Sequence, residues 1–123
     1  MIYRIAFASS DGRVIDRHFG HADKFYIYDI DTQNGSYAFE KETYVTPPCN
    51  GGEHEDFSFE AVLDRLGDVQ AVIVKRIGAG ASIFLEQRGI AVYQAPFGVE
   101  DILEKIVTDK TWEEDQWQFH TRS

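Results

Sequence analysis

The sequence predicts an α/β domain: a five-stranded mixed sheet, ordered about 3-2-1-4-5, with helices packed on its faces. Three observations predict it. The first part of the chain holds three strand-like segments divided by turn residues, with no helical period. The period changes after the loop that contains Pro47 and Pro48, and apolar residues then recur at three- and four-residue spacing. Short, almost wholly apolar runs alternate with these helical stretches. That is the pattern of strands joined to parallel neighbours by right-handed helical crossovers.

Each element has its own reason. Tyr3 to Ala8 is mostly apolar without alternation and reads as a strand buried on both faces. Phe25 to Ile30 is rich in aromatic and β-branched residues and reads as a second strand. Asp31 to Gly35 is a turn, and Ser36 to Val45 returns antiparallel as the other arm of a hairpin. Pro47 and Pro48 stop it, because proline has no N–H for the ladder. Phe57, Phe59, Val62, Leu63 and Leu66 give one apolar helical face, with Asp56 or Ser58 as the cap and Gly67 as the stop. Val69 to Val74 is a strand, and Gly78-Ala79-Gly80-Ala81 leads into a second helix that ends before Gly89. Ile90 to Tyr93 is the last strand, and Val99 to Val107 a third helix with Ile102, Leu103 and Ile106 on one side. The tail from Thr108 has two tryptophans and reads either as a packed extension or as an association segment.

Composition narrows the function. At 123 residues the chain is one domain, and 43% hydrophobic and 14% aromatic content suffices for a core. The single cysteine makes no internal disulfide, which fits a reducing cytoplasm. The N-terminal stretch has no long apolar region or cleavage site, and no apolar run approaches the roughly 20 residues a membrane helix needs. Acidic residues number 21 and basic ones 12, for a net charge of −9. Such a surface repels phosphate backbones, so neither nucleic acid nor a membrane is an expected partner.

Two polar segments stand out. His18-Phe19-Gly20-His21 follows the turn Ser9-Ser10-Asp11-Gly12, and Cys49-Asn50-Gly51-Gly52-Glu53-His54 lies in the Pro/Gly loop. Together they hold three of the four histidines and the only thiol. Brought together, they would form a soft-to-borderline metal site made of loops, a binding function more readily than a catalytic one. His18 and His21 share one side if their segment makes a helical turn. The spacing of Cys49 and His54 does not match a compact zinc knuckle.

The residues resemble the dinitrogenase iron–molybdenum cofactor biosynthesis family of NifX-like proteins and the NifB C-terminal domain. The resemblance rests on Ala8-Ser9-Ser10-Asp11-Gly12, His18-Phe19-Gly20 and the aromatic strand Phe25-Tyr26-Ile27-Tyr28. It continues through Ala71-Val72-Ile73-Val74, Ile77-Gly78-Ala79-Gly80-Ala81 and Leu85 to Tyr93, and covers most of residues 1–107; the tail, 108–123, lies outside it. It implies a ribonuclease H-like fold and a carrier role for an iron–sulfur or iron–molybdenum cluster bound for nitrogenase. It also implies an assembly or acceptor protein as partner.

The candidate residues follow, each with its alternative. His18 stands at the family's His-Phe-Gly histidine; it is either a metal ligand or a hydrogen-bonding group of its own loop. His21 is a further ligand, a helix cap or a solvated side chain. Phe19 is a core anchor. Cys49 supplies a thiolate suited to iron in sulfide clusters, or is an incidental thiol, and His54 adds a nitrogen. Gly78, Ala79, Gly80 and Ala81 either expose N–H groups to an anionic cluster or pack tightly as small residues. Ser9 and Ser10 donate hydrogen bonds to the same ligand or close the turn. Arg76 pairs with an anion or covers surface carboxylates. A nuclease reading would need Asp11, Asp29 and Asp31 as metal carboxylates. None of them stands in the middle of the first strand, and the charge disfavours that substrate. The expectation is a non-enzymatic binding protein. A non-catalytic binding or regulatory module for a small anionic ligand is the alternative, and an enzyme of unknown type is a third reading.

Overall fold

The structure is a computed structural model that describes residues 1–47 and 55–113. The elements are β1 (Ile2–Ala8), β2 (Lys24–Asp31), β3 (Ser36–Tyr44), α1 (Glu55–Leu66), β4 (Ala71–Val74), α2 (Ala79–Gln87), β5 (Ala91–Gln94) and α3 (Val99–Asp109). A 3-10 turn, Phe19–His21, lies between β1 and β2. The strands form one sheet in the order β3-β2-β1-β4-β5. β2 is antiparallel to β1 and β3, and β4 is parallel to β1 and β5. Element order, sheet order and strand directions match the sequence-based expectation.

β1 lies at the centre because its side chains are apolar in both directions. Tyr3, Ile5 and Phe7 pack with Ile73, Leu103 and Ile106 on the α3 side. Ala6 and Ala8 join Phe25, Ile27, Val72 and Leu85 on the other side, under Phe59, Val62 and Leu66 of α1. Burying each such Leu, Ile or Phe contributes roughly 1.5–3 kcal/mol relative to exposure. Two cores that share one strand therefore fix where the ends of β1 and β4 lie.

The hairpin turn is closed by the Gly35 N–H, which donates to the Asp31 carbonyl at 2.8 Å, while an Asp31 carboxylate oxygen takes the Gln33 N–H at 2.9 Å. The register shifts within it: Ile27 faces Lys41 and Tyr28 faces Phe39, which leaves Glu40 as the extra residue of a bulge.

Strand ends differ from expectation by a residue or two, and so do the start of α1 and the end of α3. α1 takes in Asp56 and Ser58, so neither stands before its first turn as a cap. Its end is as expected: Gly67 takes φ +76 and donates its N–H to the Leu63 carbonyl at 2.9 Å. α3 continues past Val107 to Asp109, where Lys110 takes a left-handed conformation and caps it. Trp112 is buried, its ring 6.2 Å from that of Tyr3, so the start of the tail packs into the α3-side core. Residues 114–123 lie outside the described residues, and so do residues 48–54 of the Pro/Gly loop. No helix among the described residues is long and apolar enough to cross a membrane.

Candidate functional site

The connection from β1 to β2 builds the site. It first folds on itself. Ser9 is fully buried; its hydroxyl donates to the Val14 carbonyl at 2.6 Å and accepts the Gly12 N–H at 2.9 Å. Asp11 accepts the Arg13 and Val14 N–H groups at 2.8 and 3.2 Å, and these bonds lower its carboxyl pKa below the usual carboxylate range. The Ser10 N–H donates to the Asp16 carboxylate at 2.9 Å, and its hydroxyl bonds the same group. Both serines thus act within their own loop, and neither lines the recess described next.

The same connection then runs beside the chain that leaves β4. The Lys75 N–H donates to the Arg17 carbonyl and the Phe19 N–H to the Arg76 carbonyl, both at 2.9 Å. His18 and Arg76 form a parallel bridge. Phe19 is 1% exposed, with its ring 6.1 Å from Phe25 and 5.9 Å from Phe59. An aromatic ring driven into the core pins a one-turn helix whose flanking residues stay outside. The rings of His18 and His21 stand 6.1 Å apart, both exposed. The His18 imidazole makes no capping hydrogen bond to the turn it precedes, which removes the capping form of the loop role considered for it.

Beside the two imidazoles opens a recess of about 390 Å³. His18, Gly20 and His21 form one wall, Phe59 of α1 another, and Arg76, Ile77, Gly78, Gly80 and Ala81 the third. It lies past the carboxyl end of β4, where α/β sheets place ligands. The third wall is the start of α2. Gly78 precedes the helix with no side-chain cap, and the first helical bond is Ser82 N–H to the Gly78 carbonyl. The N–H groups of Ala79, Gly80 and Ala81 therefore have no intrahelical acceptor. A Cβ on Gly78 or Gly80 would meet nothing within 4 Å, so close packing does not explain these glycines. Ala81 is buried and packs in the core, as the small-residue reading has it. Ala79 is exposed and does not line the recess.

The described lining of the recess holds one cation and no carboxylate, in an acidic protein. Arg76 is exposed on its wall, and its guanidinium joins none of the ion pairs among the described residues. Sequence reasoning missed Phe59, read as part of an apolar helical face, and Ile77, read only as part of a turn; Phe59 serves the core and the recess at once. Cys49 and His54 lie outside the described residues. The described chain resumes at Glu55, the start of the helix that carries Phe59.

The carboxylates of the nuclease reading are engaged separately. Asp29 pairs with Arg4 through both oxygens at 2.7 and 2.8 Å, Asp31 serves the hairpin turn, and Asp11 serves its own turn. Among the described residues, no three His, Cys, Asp or Glu side chains converge on one point.

Fold and recess define a small α/β domain with a recess between a histidine turn and a glycine-rich helix start. The family model for dinitrogenase iron-molybdenum cofactor matches residues 1–109, and the chain belongs to that family. It is 43% identical over 91 residues to the FeMo cofactor biosynthesis protein NifB of Klebsiella pneumoniae, covering 70% of this chain and 19% of that protein. With NifB of Chlorobaculum tepidum it is 32% identical over 103 residues, covering 84% of this chain and 22% of the relative. The chain thus spans about a fifth of the length of these relatives. Among solved structures, PH0822 matches with a TM-score of 0.64 at 20% identity, covering 86% of this chain and 91% of its own. The Methanocaldococcus jannaschii protein mj0327 matches with a TM-score of 0.57 at 16% identity, covering 89% and 91%. These two likenesses concern the fold.

Proposed function

We propose that this chain is a non-catalytic binding and carrier protein for an iron–sulfur or iron–molybdenum type cluster. It takes the cluster up in the recess and passes it to a cofactor-assembly or acceptor protein in the cytoplasm. One observation carries most of the reading: a single turn sets two imidazoles against a recess whose facing wall is the uncapped start of α2. Imidazole binds iron and other borderline metals. A sulfide-rich cluster is anionic, and unpaired N–H groups offset part of that charge. Cys49 and His54 complete the proposed ligand set, the thiolate being the ligand that iron in sulfide clusters favours. Few protein ligands suit cargo that must later be released. The relatives' role in FeMo cofactor biosynthesis comes to this chain only as part of this proposal. So does the ribonuclease H-like label, which the sheet order and the antiparallel β2 support.

Anaerobic titration of metal-free protein with a preformed iron–sulfur cluster tests the proposal. The expected result is a broad sulfur-to-metal absorption band that His18→Ala and Cys49→Ala weaken. No uptake by the parent protein, or equal uptake by both variants, overturns it. Arg76 and the α2 N–H groups favour a second reading, a module for a small anionic ligand. Tight binding of a plain dicarboxylate without metal, by a protein that takes up no cluster, would select that reading.

A further inference from the structure

The α3-side face of the sheet is unevenly covered. α3 packs over Tyr3, Ile5, Phe7 and Ile30, while Tyr26, Tyr28 and Tyr37 are only partly buried. Beyond them Phe39 is 52% and Tyr44 59% exposed. The rings form one array: Tyr28 lies 5.5 Å from Phe39, and Tyr26 lies 6.2 Å from it. The Lys24 ammonium sits over the rings of Tyr26 and Tyr44, at 5.4 and 5.8 Å, with Glu42 at 3.5 Å. β3 is the last strand of the sheet, nine residues long, and its outer edge pairs with no strand among the described residues.

The border of this array is acidic. Burial, followed by Glu100, raises the pKa of the Tyr28 phenol; burial, followed by Glu104 and Glu100, raises that of Tyr37. Glu100 and Glu104 lie at i, i+4 beside Val107, on the side of α3 that meets the hairpin at Gly35, where Val107 packs in the same cluster as Tyr28 and Tyr37. Neither carboxylate is in an ion pair among the described residues. The combination around Lys24, two tyrosine rings and a glutamate holding one ammonium, recurs at Tyr28, Tyr37, Glu100 and Glu104 without its cation. Ring faces and carboxylates together favour Lys or Arg.

We infer that this face and the free edge of β3 form a docking surface for an extended, lysine- or arginine-bearing segment of another protein. The segment adds as a strand to β3 and lays its cationic side chains over Tyr28 and Tyr37, against Glu100 and Glu104. Main-chain hydrogen bonds to the edge give affinity, and side chains on alternate positions give specificity. A second copy of this chain fits poorly. Two-fold antiparallel pairing sets one residue opposite itself, so registers centred on the middle of β3 oppose Glu40, Lys41 or Glu42 to its own copy. Like charges directly opposite one another destabilise a strand pair. The surface is separate from the recess, and the inference stands or falls apart from the cluster reading.

The test is an NMR titration of the full-length, isotope-labelled protein with a synthetic peptide of alternating lysine and valine, about ten residues long to match a strand. A glutamate–valine peptide of equal length is the control. The expected result is amide shifts confined to β3 and the first turns of α3. Phe39→Lys and Glu104→Gln should each weaken binding about tenfold or more, in line with losing a desolvated cation contact. Phe39 and Glu104 are exposed, so melting temperatures serve to show that both variants stay folded. Absent shifts, shifts elsewhere, an equal response to the glutamate peptide, or full binding by both variants overturns the inference. So do β3 shifts that depend on protein concentration alone, which would mark a second copy as the occupant.

Discussion

His18 and Arg76 are partners in a parallel bridge that extends the β4 line past its last residue. The bonds around it, Lys75 to Arg17 and Phe19 to Arg76, join backbone to backbone, so they fix the position of both residues whatever their side chains do. An exposed imidazole and an exposed guanidinium thereby share one recess. The bridge separates what holds the site from what acts in it.

That separation predicts opposite outcomes for adjacent residues. Phe19→Ala removes a fully buried ring from between Phe25 and Phe59 and should cost about 3–5 kcal/mol in urea unfolding. His18→Ala removes an exposed ring and should change stability by less than about 0.5 kcal/mol. A large loss with His18→Ala would give that histidine a structural role.

Gly12, in the β1–β2 connection, and Gly67, at the end of α1, test the backbone of two turns. Both take positive φ, +77 and +76, but a Cβ on Gly12 would come within 2.8 Å of the Tyr26 ring while one on Gly67 meets nothing. Gly67→Ala should cost about 1–2 kcal/mol, the strain of a left-handed residue alone. Gly12→Ala should cost more, because the Tyr26 ring must also move. Equal losses in parallel urea titrations would mean that the ring yields freely.

Asp11 gives a pH signature. Its folded pKa lies below that of a free aspartate, chiefly because the Arg13 and Val14 N–H groups bond its carboxylate. The unfolded state therefore binds the proton first as pH falls. The contribution to stability is full above the unfolded pKa, shrinks below it, and is gone once pH has dropped through the folded value. Stability measured from about pH 5 down to pH 2 should fall less steeply in Asp11→Asn than in the parent. Parallel curves would show that the turn holds without the charge.

Much of this was legible in the sequence for identifiable reasons. β1 declared its central place through apolar residues on both of its faces, and the two histidines declared a shared side through their spacing. What the sequence left open were choices between two roles for one residue. Ser9 suits a ligand or a turn equally well; the fold-back of Val14 onto its hydroxyl decides for the turn. Asp56 and Ser58 suit a cap, but the helix begins before them. Arg76 becomes a neighbour of His18 only through tertiary pairing, which leaves no local pattern. Gly78 and Gly80 differ from packing glycines only in the empty space beside them, and a sequence does not record space.

Gly80 turns that last point into a test of the recess itself. It sits in the first turn of α2, with no positive φ and open space where a Cβ would go. Gly80→Ala should therefore keep or raise stability, by up to about 1 kcal/mol, because alanine restricts the unfolded chain and favours helix. Gly80→Leu sends a larger side chain from the wall toward the recess of about 390 Å³, and the fold should still tolerate it. Ala81→Leu is the contrast: Ala81 is buried in the core, so overpacking there should cost about 1–3 kcal/mol. In an anaerobic cluster titration Gly80→Ala should bind like the parent, and Gly80→Leu should lose uptake at an unchanged melting temperature. If Gly80→Ala destabilises the domain, the glycine serves packing after all. If Gly80→Leu binds the cluster as the parent does, the cargo lies somewhere other than this recess.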